Sequence, residues 1–194
     1  MTQRERMAAG LLYDAGDPEL VAARRAAGTL CQAINSLPFE AVEERMALLA
    51  QLFGALGEGS HIEQPFRCDY GFHITAGKQF YINYNCVMLD CAPITFGDRV
   101  FIAPNCAFYT AGHPLDPAER ASGLEFAKPI RVGSDVWIGG NTVVNPGVTI
   151  GDNTVIGSGS VVTRDIPAGV VAVGNPCRVL RPITPADRML PAQD

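Results

Sequence analysis

One histidine of this chain stands where its imidazole could act as a base. The chain has three histidines, and only His113 lies within the long repetitive part of the sequence, between Gly112 and Pro114. An imidazole with an ordinary pKa near 6.5 can take up a proton at neutral pH. It is therefore suited to remove the proton of a hydroxyl that attacks a carbonyl. We predict His113 as a general base and assign His61 and His73 structural or surface roles.

The residues around His113 form a separate segment. Between 110 and 128 the repeat described below gives way to an irregular excursion with prolines and charged pairs. Functional side chains concentrate on such excursions, because a rigid scaffold can hold them at the surface. We expect a protruding loop at about 110–128 that presents His113.

Composition limits the classes of partner. The chain has 194 residues, a net charge of −5 and 47% hydrophobic residues, which is typical of a globular protein. Acidic and basic residues are interleaved, so no broad basic face for nucleic acid or an anionic membrane is expected. No signal-peptide pattern and no run of about 20 apolar residues occurs, so we expect a cytoplasmic protein.

The cysteines do not have the spacing of a metal site. Six are scattered along the chain without a C-x-x-C pair. We interpret most of them as small buried apolar residues, with neither disulfides nor a bound metal.

The N-terminal segment, residues 1–58, has the pattern of packed helices. Apolar residues recur at helical intervals from 5 to 56, with an interruption at 35–38. Ser36 is predicted to cap the second helix, with Pro38 in its first turn.

From about residue 60 the sequence changes to a period of six. In the clearest stretch every sixth residue is Val or Ile, at positions 132, 138, 144, 150, 156 and 162. Six residues turn a helix by about 600°, so these positions would form no stripe on a helix. In extended segments they face one way, together with the smaller residues four positions further on. The same frame runs earlier through Ile82 and Met88 and, after a slip of two, through Phe96, Ile102 and Phe108.

Such hexads predict a mainly β solenoid. A strand and a tight turn per hexad, with three hexads per coil of about 18 residues, give a triangular β-helix of stacked parallel strands. Cys86 and Cys106 take the small inward position. The predicted domains are the helical segment 1–58, the β-helix 59–183 and a C-terminal tail 184–194.

Several motifs make the sequence resemble one family, the maltose and galactoside O-acetyltransferases of the hexapeptide-repeat class. The matching stretches are MAAGLLYD at 7–14, FYINYN at 80–85, TAGHPLDP at 110–117, DVWIGG at 135–140 and GNPCR at 174–178. The resemblance covers about residues 4–183. It implies a left-handed β-helix, a homotrimer, and transfer of an acetyl group from acetyl-CoA to a sugar hydroxyl.

The resemblance also implies roles for individual residues. Besides His113, it implies Gly140 as a backbone N–H donor to the oxyanion and as part of the coenzyme site. The implied acceptor-binding residues are Asp14, Asp69, Tyr81, Asn83 and Glu125. The other implied coenzyme-binding residues are Ser158, Thr163, Arg164, Arg178 and Arg181. Where related galactoside enzymes carry an acceptor-binding aspartate, this chain has Cys91, next to Asp90.

Three alternatives stay open from the sequence. The acceptor could be something other than a simple glycoside, which the sequence does not decide. The chain could be a trimeric sugar-binding scaffold without turnover, since Cys91 alters the implied pocket. A zinc enzyme of the carbonic anhydrase type on the same solenoid requires three converging histidines, whereas only His113 lies within the repeats.

Overall fold

A computed structural model of the chain describes residues 1–189. The N-terminal part contains α1 (Gln3–Ala8), β1 (Tyr13–Asp14), α2 (Pro18–Ser36) and α3 (Val42–Leu52). The Asp17 carboxylate accepts a hydrogen bond of 2.9 Å from the Glu19 backbone N–H and caps α2, with Pro18 in the first turn.

The predicted cap of the next helix is wrong. Ser36 is the last residue of α2, and Leu37 is extended, as a residue before a proline prefers. The following helix, α3, starts only at Val42, after Ala41, without a side-chain cap.

From residue 55 the chain forms short strands. In chain order, the elements are β2 (Ala55–Leu56), β3 (His61–Ile62), β4 (Phe66–Cys68), β5 (Ile74–Ala76), β6 (Tyr81–Ile82), β7 (Cys86–Leu89), β8 (Ile94–Phe96), β9 (Phe101–Ile102), β10 (Ala107–Tyr109), β11 (Ala111–Gly112), α4 (Pro117–Ala121), β12 (Leu124–Ala127), β13 (Ile130–Val132), β14 (Trp137–Ile138), β15 (Val143–Val144), β16 (Thr149–Ile150), β17 (Val155–Ile156), β18 (Val161–Val162), β19 (Val170–Val173) and β20 (Arg178–Pro182). A 3-10 helix, Pro185–Asp187, follows.

Three parallel sheets form the walls of a triangular prism. Sheet I has the strand order β16-β13-β8-β5-β2, sheet III has β18-β15-β10-β7-β4, and sheet II has β20-β19-β17-β14-β9-β6-β3, of which β20 is antiparallel. The chain visits sheets I, II and III in turn, so each coil contributes one strand to each wall. This confirms the predicted mainly β, hexapeptide-repeat solenoid.

The hexad positions form the core. Ile82, Ile102, Ile138 and Ile156 pair in register along sheet II, and each is 0% exposed. Cys86 and Cys106 also face inward and are buried, as predicted. The turns between walls contain residues such as Asn85, Asn105 and Asn141 at positive φ, a region that asparagine tolerates better than most residues.

The helices close the first coil of the prism. Arg45 of α3 is only 1% exposed. Its Nε donates to the Ile62 carbonyl at 3.1 Å, and its guanidinium lies 3.6 Å from the Glu63 carboxylate. A buried charge without such partners would be costly, so these contacts let α3 cover the open core.

The excursion at 110–128 is more regular than expected. It contains β11, α4 and β12, and β11 pairs antiparallel with β12. On its other side β12 pairs antiparallel with β1. We call the segment 110–128 the arm. It protrudes from the prism as predicted, but the N-terminal segment holds it in a three-stranded sheet.

The domain limits stay predictions. The first strand of sheet I, β2, begins at Ala55, four residues ahead of the predicted limit at 58/59. Of the predicted tail 184–194, residues 190–194 lie outside the described residues. Across residues 1–189, the helices are all too short or too polar to cross a bilayer.

Candidate active site

Extra residues in three coils collect at one edge of the prism. Where the chain passes from sheet III to sheet I, Met88 and Phe96 are eight residues apart instead of six, and Phe108 and Val132 are 24 apart. The first coil carries the same two extra residues, between Cys68 and Ala76. We call this the III–I edge. Strands that stack in register place these insertions above one another.

The arm positions His113. His113 follows directly after β11, in which Gly112 pairs with Phe126 of β12. A Cβ at position 112 would lie 2.5 Å from the Phe126 ring, so the close approach of the two strands requires glycine there. The His113 side chain is 54% exposed, which leaves the imidazole accessible to a substrate.

Two side chains line up behind the His113 ring. The Glu125 Oε1 atom lies 4.0 Å from His113 Nε2. The hydroxyl of the fully buried Tyr13 donates a hydrogen bond of 2.8 Å to Glu125 Oε2. Because β1 and β12 pair Tyr13 with Glu125 in register, the backbone itself brings these groups together. Burial raises the pKa of the Tyr13 hydroxyl, which therefore stays a donor at neutral pH.

A cavity of about 160 Å³ opens beside these residues. It is lined by Ala15, Arg24, Asp69, Cys91 and Glu125. Burial raises the pKa of both the Asp69 carboxyl and the Cys91 thiol. The Cys91 Sγ donates to Asp69 Oδ2 at 3.4 Å, so the thiol is a protonated donor in the cavity wall.

Arg24 is a cavity residue that the sequence did not reveal. Its guanidinium donates to the Tyr70 hydroxyl at 2.6 Å and to the Ala15 carbonyl at 2.5 Å. These bonds fix a positive charge near the Asp69 carboxylate. Arg24 lies in the middle of α2, where its spacing looks like that of any solvated helical arginine, so no sequence signal identified it.

Two acidic residues near the cavity point elsewhere. Asp14 is exposed, and its Oδ1 accepts from the Gly16 N–H at 2.7 Å, so the structure does not place it in the cavity. Its neighbour Ala15 lines the cavity instead. Asp90, next to Cys91, is 0% exposed and turns inward, where its Oδ1 accepts from the backbone N–H groups of Asp69 and Tyr70.

Four other predicted residues lie on sheet II or in the turns that follow it. Tyr81 is on β6 of sheet II, and Asn83, Gly140 and Ser158 are in the turns that lead from sheet II to sheet III. We call this the II–III edge. Because His113 projects from the III–I edge, one chain does not bring these residues together with the predicted base.

A side chain at position 140 would be crowded, so glycine fits this turn best. A Cβ there would lie 3.2 Å from the Pro104 carbonyl oxygen, tighter than a side chain normally allows. The Gly140 carbonyl accepts a hydrogen bond of 2.8 Å from Gly159 in the next coil, so the turn is tied to its neighbour. This geometry suits both an N–H donor to a ligand and an ordinary turn glycine.

An aromatic column follows the outer face of sheet II. His61, Tyr81, Phe101 and Trp137 pair in register across successive coils, and the His61 and Tyr81 rings are stacked with centroids 5.9 Å apart. Phe101 and Trp137 are 51% and 55% exposed. A groove of about 550 Å³ runs beside the column. A signal for this column was present in the sequence. In four coils the outward residue just before the inward isoleucine has an aromatic ring.

The predicted coenzyme residues are exposed near the last coils. Thr163 and Arg164 follow β18, on the III–I edge, whereas Ser158 is on the II–III edge. Arg178 and Arg181 are on β20. The Arg181 guanidinium already forms two hydrogen bonds with Asp187, of 2.8 and 2.7 Å, which lower the pKa of that carboxyl to about 2.

Two family models match parts of this chain, and known proteins match it over nearly its full length. The maltose acetyltransferase hexapeptide capping motif matches residues 6–57, and six repeats of the bacterial transferase hexapeptide match residues 129–164. Nodulation protein L of Rhizobium meliloti is 48% identical over 92% of this chain and 97% of its own length. The galactoside O-acetyltransferase of Escherichia coli is 43% identical over 97% of this chain and 93% of its own.

Solved structures agree in detail with this fold. A maltose O-acetyltransferase from Clostridium difficile superposes with a TM-score of 0.94 at 48% identity, covering 95% of this chain and 98% of that chain. A galactoside acetyltransferase in complex with coenzyme A superposes with a TM-score of 0.95 at 42% identity, covering 100% of this chain and 97% of that chain. Sequence, arm, helices and prism thus match together, and the chain belongs to the maltose and galactoside acetyltransferase family of hexapeptide-repeat proteins.

Proposed function

We propose that this chain transfers the acetyl group of acetyl-CoA to a sugar hydroxyl, with His113 as the general base. The observation that carries the proposal is the accessible His113 ring, backed by Glu125 and Tyr13 at the edge of a polar cavity. Relatives that resemble the chain over nearly its full length are named as galactoside and maltose O-acetyltransferases. One is complexed with coenzyme A.

The proposed reaction is a direct attack. His113 takes the proton of the acceptor hydroxyl as its oxygen attacks the thioester carbonyl carbon. The carbonyl then re-forms, the C–S bond breaks, and the sulfur leaves with the proton that the imidazolium returns. An unassisted hydroxyl is a poor nucleophile near neutral pH, and a positioned base typically contributes 10²–10⁴-fold.

The Gly140 N–H is proposed to stabilise the oxyanion that forms on the thioester oxygen. A backbone donor that is fixed before the reaction costs no reorganisation when the charge develops. Its turn is anchored to the next coil by the Gly159 hydrogen bond, which supports such a fixed position.

This assignment requires a second copy of the chain. Gly140 and Asn83 lie on the II–III edge and Tyr81 on the outer face of sheet II, away from His113 on the III–I edge. The proposed active form is a homotrimer in which the III–I edge of one copy meets the II–III edge of the next. The exposed Phe101 and Trp137 beside the groove supply apolar surface for that contact.

The acceptor is proposed to enter the cavity at the III–I edge. Asp69 and Glu125 offer carboxylate acceptors to sugar hydroxyls, and Arg24 offers a fixed donor. Tyr81 and Asn83 of the neighbouring copy complete this site. Asp14 lies outside the cavity of the single chain, and its predicted acceptor role stays a prediction.

The coenzyme is proposed to lie along the last coils. The exposed Ser158, Thr163 and Arg164 can bond its pantetheine arm, and Arg178 can pair with a phosphate through a charge-assisted hydrogen bond. Arg181 can do so only by sharing or releasing Asp187.

The decisive experiment follows the release of the CoA thiol. We expect His113→Ala to lose about 10²–10⁴-fold in kcat with maltose, glucose or a galactoside, with an unchanged Tm and unchanged acetyl-CoA binding. Glu119→Gln, on the exposed α4 of the same arm, is the matched control and should keep normal turnover. Normal turnover of His113→Ala would remove His113 as the base.

One observation favours a second candidate. The cavity contains the Cys91 thiol and the Arg24 guanidinium, which together could suit an acceptor other than a simple glycoside. A screen that includes amino sugars and amino alcohols separates the two, with mass spectrometry locating the new ester. Absence of thiol release with every acceptor would favour the sugar-binding scaffold without turnover.

A further inference from the structure

Two cysteines of different elements meet between the helices and the prism. Cys31 is on α2 and Cys68 is the last residue of β4, and their sulfur atoms are 3.8 Å apart. A disulfide needs a separation of about 2.05 Å, so the two side chains must approach by a little under 2 Å.

The surrounding contacts keep the two thiols in reach of each other. One helical turn after Cys31, the Asn35 amide clamps the Phe66 backbone with two hydrogen bonds of 2.9 Å. Because Phe66 is two residues before Cys68 in β4, this clamp and the thiol pair fix the same helix face to the same strand. The encounter of the thiols is therefore built into the packing.

The electrostatics favour reaction at this pair. The hydrogen bond with Cys68 lowers the pKa of Cys31, with help from the charge of Arg67 and against burial, which raises it. Cys68 correspondingly keeps its proton, because the same bond and burial raise its pKa. A thiolate is the reactive form of cysteine, so the direction of these shifts makes Cys31 the attacking sulfur of the pair.

The other cysteines lack this combination. Cys86 and Cys106 are as buried as Cys31, but burial raises the pKa of each, and neither has a partly exposed thiol as its neighbour. Burial also raises the pKa of Cys91 and Cys177. Cys68, in contrast, is partly exposed and gives a small oxidant a way to the pair.

We propose that Cys31 and Cys68 form a reversible disulfide when the protein meets hydrogen peroxide, and that this bridge pins α2 to the prism. The Cys31 thiolate attacks one peroxide oxygen, the O–O bond breaks, and hydroxide leaves and takes up a proton to form water. The Cys68 sulfur then attacks the resulting sulfenic acid, the S–O bond breaks, and a second water leaves with the Cys68 proton. Two thiols lose two electrons to one peroxide, and a dithiol reductant reverses the reaction.

The test is a non-reducing peptide map of the full chain after peroxide treatment and alkylation under denaturing conditions. Trypsin releases Cys31 in the peptide 26–45 and Cys68 in the peptide 68–78, each with a single cysteine. The expected product is these two peptides joined, lighter by two hydrogens than their sum, and separated again by dithiothreitol. The other four cysteines should be alkylated. Alkylated or singly oxidised peptides without the joined product would overturn the proposal.

Thermal unfolding tests the second half of the proposal. The joined protein should unfold about 5–10 °C higher than the reduced protein, since the bridge restricts the unfolded chain. Cys31→Ala should show neither the joined peptides nor the peroxide-dependent rise, whereas Cys177→Ala should keep both. A joined protein with an unchanged or lower Tm would show that the bridge does not stabilise the docking of α2.

Discussion

At the scale of single residues, the His113 site depends on how Glu125 is held. One oxygen of Glu125 faces the imidazole at 4.0 Å, which is longer than a hydrogen bond, and the other accepts from Tyr13. Glu125 therefore orients the base only if its own carboxylate stays in place. The buried Tyr13 hydroxyl is the group that holds it.

Replacing Tyr13 by phenylalanine tests this positioning role. Tyr13→Phe keeps the buried ring and removes only the hydroxyl, so the Glu125 carboxylate gains freedom. We expect kcat to fall about 3–30-fold, a part of the effect of losing the base itself, while the KM for acetyl-CoA stays unchanged. Steady-state kinetics measure both, with Tyr109→Phe as the control. A Tyr13→Phe enzyme with the kcat of the unaltered chain would contradict the role.

Asp90 should make stability depend on pH. Its carboxylate is fully buried, and within residues 1–189 its Oδ2 has no hydrogen-bond partner. Burial raises its pKa in the folded state above the unfolded value of about 3.9. The folded state thus binds this proton more tightly, so the contribution of Asp90 to stability falls as pH rises from about 3.9 through the raised pKa.

Asp90→Asn removes that dependence. The amide oxygen can still accept from the Asp69 and Tyr70 N–H groups, and no charge is buried. We expect the difference in unfolding free energy between Asp90→Asn and the unaltered chain to shift in favour of the variant as pH rises from 4 to 7. Urea denaturation at several pH values measures it. Asp98→Asn, which alters an exposed carboxylate that also accepts from a backbone N–H, should show no such trend.

At the scale of elements, the pairing of β11 with β12 sets the position of the His113 ring. His113 continues from Gly112, and Gly112 packs directly against Phe126. The N-terminal strand β1 holds the other side of β12. A change in the spacing of β11 and β12 therefore moves His113 relative to Glu125.

Gly112→Ala should show this coupling. Its new Cβ would lie 2.5 Å from the Phe126 ring, so the strand or the ring must shift. We expect kcat to fall about 10-fold or more, since a misplacement of about 1 Å is expensive in catalysis, with a loss of stability of about 1–3 kcal/mol. The double variant Gly112→Ala/Phe126→Ala should recover much of the kcat. If the second change restores nothing, crowding by Phe126 is not the cause.

The insertions at the III–I edge show why the site lies there. A stretch of uniform hexads, such as 132–162, has turns between the walls that are too short to line a cavity. Two extra residues in each of the first two coils place Asp69 and Cys91 beside the arm. The solenoid thus supplies a rigid base, and departures from its period supply the site.

At the scale of the whole molecule, the chain carries two half-sites on different edges. The III–I edge has the proposed base and the cavity, the II–III edge has Asn83 and Gly140, and Tyr81 lies on the adjoining face of sheet II. Neither edge alone has both a base and the predicted oxyanion donor. Assembly of several copies is the arrangement that joins them, and it would also cover the aromatic column.

Mixing two inactive variants tests the shared site. In a mixed trimer of His113→Ala and Tyr81→Ala chains, some interfaces combine an intact His113 with an intact Tyr81. We expect each variant alone to be weakly active, and refolding them together to restore about a quarter to a third of the normal activity. Thiol release measures it, and gel filtration with light scattering checks that trimers form. No gain on mixing, with trimers present, would place both residues in one chain's site.

Much of the fold could be predicted from the sequence, because it depends on a local repeat. The Val or Ile that recurs every six residues from Val132 to Val162 faces the core each time, as its spacing predicted. The start of α3 was not predicted, since Ser36 is suited to a cap, whereas in the structure it ends α2 and α3 begins at Val42 without a side-chain cap. The strand β12 in the predicted irregular loop pairs with β1. This pairing could not be predicted, because β1 is about 110 residues away in the sequence.

The sequence by itself determined the wall-forming period, the inward residues and the one histidine in the arm. These follow from side-chain direction along an extended chain, which neighbouring residues fix. Only the tertiary structure decided that Tyr13, Arg24 and Cys91 meet Glu125, that Asp14 turns away, and that the predicted site is divided between two edges. Such contacts depend on how many residues each coil inserts at each corner and on pairing between distant strands, and no local pattern contains that information.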